Sequence, residues 1–214
     1  MKKAILIGST GMIGTQLIQL LIENKEYTEI VSLVRHESGI KNQKLKEYII
    51  NFDDPEKWSN LVTGDVLFST LGTTIGQAKT KEAQYKVDVT YQFTVAQIAA
   101  HNGVSHYVLL SSAGANSTSK NFYLSMKGEL ENSIQTLPFE EISILRPGLL
   151  AGNRIHNRPI EKISFIILNT LNKLGLFIRY RPIQAGLLAK AMIIAAKQKK
   201  SSTYTLDEVF KLVE

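Results

Sequence analysis

A chain of 214 residues, 44% of them hydrophobic, can bury one good-sized core and has little left for a second, so residues 1–214 are expected to form a single domain. The absence of cysteine excludes disulfides, thiol catalysis and thiolate metal sites. The formal charge of +6 comes from scattered lysines with no basic stretch interleaved with aromatics, which argues against nucleic acid as a partner and leaves a positive potential suited to a phosphorylated cofactor.

The opening Met1-Lys2-Lys3 mimics a signal peptide, but Gly8-Ser9-Thr10-Gly11 cuts the apolar run to four residues, well short of a signal-peptide core. A first strand, Lys3–Ile7, is the expectation. A helix follows over Gly11–Asn24, carried by Leu17, Leu20 and Leu21, then strands over Glu29–Val34, Glu47–Asn51 and Val66–Thr70. A long helix is expected over Thr80–Asn102, with Gly103 as its C-terminal stop. Strand His106–Ser111, helix Asn121–Thr136 and strand Glu141–Leu145 complete the pattern. Alternation of this kind predicts an α/β, doubly wound parallel sheet of the Rossmann type, covered by helices on both faces. Beyond Arg146-Pro147-Gly148 it weakens. Ile160–Leu174 reads as helix, Phe177–Pro182 as extended, Gln184–Lys197 as helix, with a short strand near Tyr204–Leu206 and a last helix from Asp207. This tail suffices only for a small substrate-side cap. The apolar run Ile163–Leu168 is too short to span a bilayer, and the expected setting is soluble and cytoplasmic.

Gly8, Gly11 and Gly14 are spaced Gly-x-x-Gly-x-x-Gly, a weak signal alone because many loops hold three glycines. Placed between a strand and a helix, the turn reads as a pyrophosphate cradle built from backbone N–H groups. At the end of the second strand, where an NAD site places Asp or Glu, stand Arg35 and His36. A guanidinium clamps a 2′-phosphate and stacks on adenine, so NADP(H) is expected over NAD(H); the plain alternative is a solvated arginine in a turn. In Leu71-Gly72-Thr73-Thr74 a small residue would let backbone pass close to the cofactor. Tyr123 and Lys127 are four apart on a helix and share a face. The ammonium there favours the ionised phenol, which makes the tyrosine a usable proton donor or acceptor. Ser111 and Ser112 close the fifth strand, where a hydroxyl could donate to a substrate carbonyl. His36, His101, His106 and His156 fall in no metal-ligand spacing, and no Gly-x-Ser-x-Gly elbow is present, against an α/β-hydrolase.

In chain order, Gly8-Ser-Thr-Gly11-Met-Ile-Gly14, Leu71-Gly-Thr-Thr74, Leu109-Leu-Ser-Ser112, Tyr123-Leu-Ser-Met-Lys127 and Arg146-Pro-Gly148-Leu149-Leu150 resemble the short-chain dehydrogenase/reductase superfamily. Within it they are similar to the atypical branch of HIV Tat-interacting protein 2-like NADPH-binding proteins. The resemblance covers residues 2–160 well and the tail loosely. It implies that Thr10, Gly11, Met12 and Ile13 lie along the pyrophosphate and Arg35 and His36 at the adenosine phosphate. Leu71 and Gly72 would sit near the inner ribose, with Leu150 and Arg158 toward the nicotinamide. It also implies that Tyr123 passes a proton to the substrate carbonyl, that Lys127 bonds the ribose and tunes the tyrosine, and that Ser112 orients the carbonyl. Ser111 is the alternative, because the serine-to-tyrosine spacing is shorter than in typical dehydrogenases. The expected function is therefore an NADP(H)-dependent oxidoreductase reducing a small carbonyl substrate, with an oligomer compatible. The alternative is an NADPH-binding sensor or interaction module with little turnover, since fold alone does not establish chemistry. A sugar-nucleotide epimerase relative is disfavoured by the short tail.

Overall fold

The apolar run that opens the chain becomes β1 (Lys2–Ile7), and its side chains alternate between two cores. Ala4 and Leu6 enter one, Ile5 and Ile7 the other, as a strand with period two and helices on both sides requires. The computed structural model describes residues 1–151 and 181–214. In chain order the described strands continue with β2 (Tyr27–Val34), β3 (Leu45–Ile49), β4 (Val66–Ser69), β5 (His106–Leu110), β6 (Glu141–Arg146), β7 (Leu150–Ala151), β8 (Ile183–Gln184) and β9 (Ser202–Thr205). The described α-helices are α1 (Met12–Glu23), α2 (Ile75–Ala78), α3 (Lys81–Tyr85), α4 (Gln92–His101), α5 (Phe122–Ile134), α6 (Ala185–Ala195) and α7 (Asp207–Lys211).

Seven strands form one sheet in the order β3-β2-β1-β4-β5-β6-β9, every neighbouring pair parallel. The expected α/β doubly wound Rossmann architecture is thus the one observed. The order reverses between β1 and β4, and that switch point opens a crevice at the carboxyl ends of the strands, where ligands of such sheets bind. Leu17, Ile18 and Leu21 of α1 pack with Leu188, Met192 and other residues of α6 on one face of the sheet. Val95, Ala96 and Ala99 of α4 join Met126, Leu130 and Ile134 of α5 on the other.

Local chemistry explains the element ends. The Asn121 side chain accepts the Leu124 N–H at 3.2 Å and starts α5, as N-cap asparagines do. Past α4, the Val104 N–H returns to the Ala99 carbonyl at 2.9 Å around Gly103, the expected stop. The helix expected over Thr80–Asn102 is instead α3, a wider π turn over Lys86–Tyr91, and α4. Three polar residues spaced by four, Gln84, Asp88 and Gln92, are all buried there, and their hydrogen-bonding needs displace the regular helix. The β7–β8 pair and the single-turn α2 were not expected, because two to four residues carry too little periodicity to be read. The helix expected over Ile160–Leu174 and most of the segment Phe177–Pro182 lie outside the described residues.

One buried titratable group sets a pH limit on stability. His106, in β5, is almost fully buried with Nε2 3.0 Å from the Ser143 hydroxyl. Burial, with some help from Lys2, pushes its pKa down to about 4. The folded state therefore binds the proton less readily than the unfolded chain. The stabilisation is complete above the unfolded value near 6.5 and is lost as pH falls through about 4. Chemical denaturation at pH 7 and pH 4 should show a His106-dependent loss of roughly 2–4 kcal/mol, and a His106→Gln variant should lack it.

Candidate active site

The glycine turn and the loop after β4 meet at the switch point. Gly8 adopts φ +80°, and a Cβ there would lie 2.4 Å from the Leu71 nitrogen and the Thr70 carbonyl carbon, so only glycine fits. The Thr70 hydroxyl donates to the carbonyl oxygens of Ile7 and Gly8 at 3.0 and 3.1 Å and ties the two strand ends together. Gly14 is as tightly enclosed, its virtual Cβ 2.2 Å from the Gly8 oxygen, whereas a Cβ on Gly11 meets only that same oxygen at 3.2 Å. Gly11 caps α1 and has no side chain to offer its N–H groups, and the first turn carries no acidic residue. The start of α1 is thus a positive dipole end open to an anion.

Thr10 and Gly11 are exposed on this turn and Met12 is partly buried, while Ile13 is packed into the core. Ile13 can therefore offer a ligand its backbone and not its side chain. Arg35 is exposed directly past the end of β2, with His36 beside it. Leu71 packs against the second core, and Leu150, in β7, packs against the first. Arg158 lies outside the described residues.

Across the crevice, α5 delivers Tyr123 and Lys127 to one place. The Lys127 ammonium lies 5.9 Å from the centre of the Tyr123 ring, within cation–π range. The tyrosine is 39% exposed. The lysine beneath it is buried and held by an ion pair with Asp88 at 3.0 Å. Burial pushes the Lys127 pKa down, yet the Asp88 carboxylate, assisted by Tyr123 and Glu131, leaves it above its ordinary value. Lys127 is a cation throughout the neutral range.

The two serines have different surroundings. Ser111 is buried and its hydroxyl donates to the Glu131 carboxylate in a short contact, which also holds the Arg146 guanidinium. Ser112 is half-buried, and among the described residues its hydroxyl has only a 3.5 Å contact to the Ala113 carbonyl. Of the two hydroxyls, that of Ser112 is the less engaged among the described residues.

The sequence reading missed Asp88, the buried partner of Lys127. Its signal was the polar stripe Gln84, Asp88, Gln92 inside an otherwise apolar helical face. Among the described residues no cluster of His, Asp and Glu could hold a metal ion. A surface depression of about 600 Å³ between Ser59, Gln97, His101 and neighbours lies at the end of α4 leading into β5, and none of these site residues lines it.

Residues 8–158 match a family described as NAD(P)H-binding. The chain is 36% identical over 180 residues, 81% of its length and 77% of the relative's, to the protein named fmp52, mitochondrial, of Emericella nidulans. It is 33% identical over 94% of its length and 88% of the relative's to FMP52, mitochondrial, of Meyerozyma guilliermondii. In fold it is similar to the Bordetella bronchiseptica enzyme WbmH, solved in complex with NAD+, with a TM-score of 0.72 at 14% identity over 95% of this chain and 75% of that one. The mitochondrial names of the relatives overturn the cytoplasmic expectation, which rested on the short apolar runs alone. Among the described residues no helix is long and apolar enough to cross a membrane.

Proposed function

This chain belongs to the NAD(P)H-binding family, and from that premise we propose that it is an NADP(H)-dependent oxidoreductase of the atypical short-chain dehydrogenase type, reducing a small carbonyl compound. One observation supports this above the others: an exposed tyrosine stands over a buried, charged lysine at the carboxyl edge of the sheet. Kinship with the Tat-interacting protein 2-like branch rests on the motif set, and the mitochondrial setting on the relatives' names.

The residues present suit a dinucleotide. Gly8 and Gly14 let the turn close tightly on its own backbone, Gly11 leaves open the space over the start of α1 where a pyrophosphate would approach, and that uncapped start, with Thr10, Met12 and the Ile13 backbone, supplies donors. Arg35 would hold the adenosine phosphate, with Leu71, Gly72, Leu150 and Arg158 along the rest of the cofactor. When bound, NADPH supplies hydride to the carbonyl carbon. The Tyr123 hydroxyl gives its proton to the carbonyl oxygen, acting as general acid. Lys127 would face the ribose and keeps positive charge beside the phenol ring. The Ser112 hydroxyl donates to the same carbonyl oxygen and orients it.

NADPH is expected to bind at least tenfold more tightly than NADH, and Arg35→Ala to lower NADPH affinity about ten- to a hundredfold, the scale of a charge-assisted contact. NADH affinity should stay nearly unchanged. Titration calorimetry of both proteins with both cofactors checks this, and equal affinities in the unaltered protein would remove the NADP(H) preference.

A further inference from the structure

The acid beneath the lysine carries a further inference, which rests on Lys127 facing the cofactor ribose. We propose that Asp88 is a positioning residue whose single carboxylate holds the Lys127 ammonium charged and in place and ties it to the turn that follows β4. One oxygen, Oδ1, is 3.0 Å from Lys127 Nζ. The other, Oδ2, accepts the Thr73 N–H at 2.7 Å. Between them Gly72 passes so close that a Cβ there would lie 3.3 Å from Oδ1, so the glycine makes room for the carboxylate from within the protein. Asp88 is itself held from behind. Its carbonyl accepts Gln92 Nε2 at 2.6 Å, and Gln92 Oε1 accepts the Ser69 hydroxyl at 2.6 Å. Gln84 Nε2 reaches the Thr73 carbonyl at 3.4 Å. The polar stripe thus lines up along the end of β4 and its turn, and the π turn at Lys86–Tyr91 is a feature often found where a helix serves a site.

The charge balance follows from this geometry. The Asp88 and Lys127 side chains are 1% and 6% exposed. Among the described residues the groups facing Lys127 are Asp88 from the π turn and Tyr123 and Glu131 from its own helix, and Glu131 is already paired with Arg146. A buried ammonium stripped of its counter-ion gives up its proton readily. Asp88 is therefore what lets Lys127 remain a cation while hidden from water.

Asp88→Asn keeps the shape and the acceptor for Thr73 but removes the charge. With lysine labelled with carbon-13, the Lys127 Cε resonance, assigned by its loss in Lys127→Met, should titrate above 10.5 in the unaltered protein and at least one pH unit lower in Asp88→Asn. The ratio of NADPH dissociation constants, Asp88→Asn over unaltered, should grow about twofold or more between pH 6 and pH 9.5 as the variant lysine loses its proton. A role confined to packing would lower affinity by one factor at every pH. If Asp88→Asn does not fold, Gly72→Ala, which presses on Oδ1, should give a smaller shift of the same sign. A Lys127 resonance that titrates identically in variant and unaltered protein overturns the proposal. A downward shift without any NADPH binding supports the Asp88–Lys127 assignment and overturns the cofactor-facing reading instead.

Discussion

Tyr123→Phe is expected to lower turnover of a carbonyl substrate by about 10²–10⁴-fold, the range contributed by a positioned acid. The ring is 39% exposed and among the described residues no hydrogen bond ties its hydroxyl to the fold, so phenylalanine removes the proton and little else. NADPH affinity and thermal stability should change little. Lys127→Met is expected to behave differently, because it removes the proposed ribose contact and also leaves Asp88 buried without its Lys127 partner. Breaking a buried pair on one side costs about 3–5 kcal/mol, so a fall in melting temperature should accompany loss of both binding and turnover. Steady-state kinetics over a panel of aldehydes, ketones and quinones, with calorimetry for NADPH, checks both variants. A panel on which the unaltered protein never oxidises NADPH, while NADPH alters its association with a partner, would favour the sensor reading; equal activity with and without the Tyr123 hydroxyl would end tyrosine catalysis.

Gly14→Val and Gly11→Val should fail in two different ways. A side chain on Gly14 would place its Cβ 2.2 Å from the Gly8 oxygen and 2.6 Å from the Ser9 Cα. Both are backbone atoms, and the Gly8 oxygen is held by the Thr70 hydroxyl, so the turn has little room to yield. A clash of this kind belongs with the overpacked and strained substitutions that cost more than about 4 kcal/mol, and the variant should be largely unfolded by circular dichroism. Gly11 has φ −78° and ψ 170°, a conformation open to branched residues, and its Cβ meets one oxygen at 3.2 Å. Gly11→Val should therefore stay folded. Its isopropyl group would occupy the ground over the start of α1, so NADPH affinity should drop at least a hundredfold, about 2.7 kcal/mol. A folded Gly11→Val protein that binds NADPH at full affinity would show that the turn is not a cofactor cradle.

The order of strands and helices was legible because each element announces itself locally. β1 reads as an unbroken apolar run between Lys3 and Gly8, α1 as Leu17, Leu20 and Leu21 at helical spacing, and Tyr123 and Lys127 as neighbours four residues apart on one helix. The glycine turn was legible for the same reason, although the sequence could not rank its members. Gly14 is critical only because the Gly8 carbonyl stands opposite it, and Gly8 because β4 delivers Thr70 and Leu71 beside it. Relatives, not residues, corrected the compartment. Adjacent in sequence and alike in chemistry, Ser111 and Ser112 differ because one faces Glu131, twenty residues on, and the other does not. Asp88 looked like one more polar residue in a helix until folding set Thr73 and Lys127 against its two oxygens. Local periodicity records where a chain buries apolar area, but the partner of a buried polar atom is supplied by whichever distant segment the sheet order brings alongside. That choice belongs to the tertiary structure.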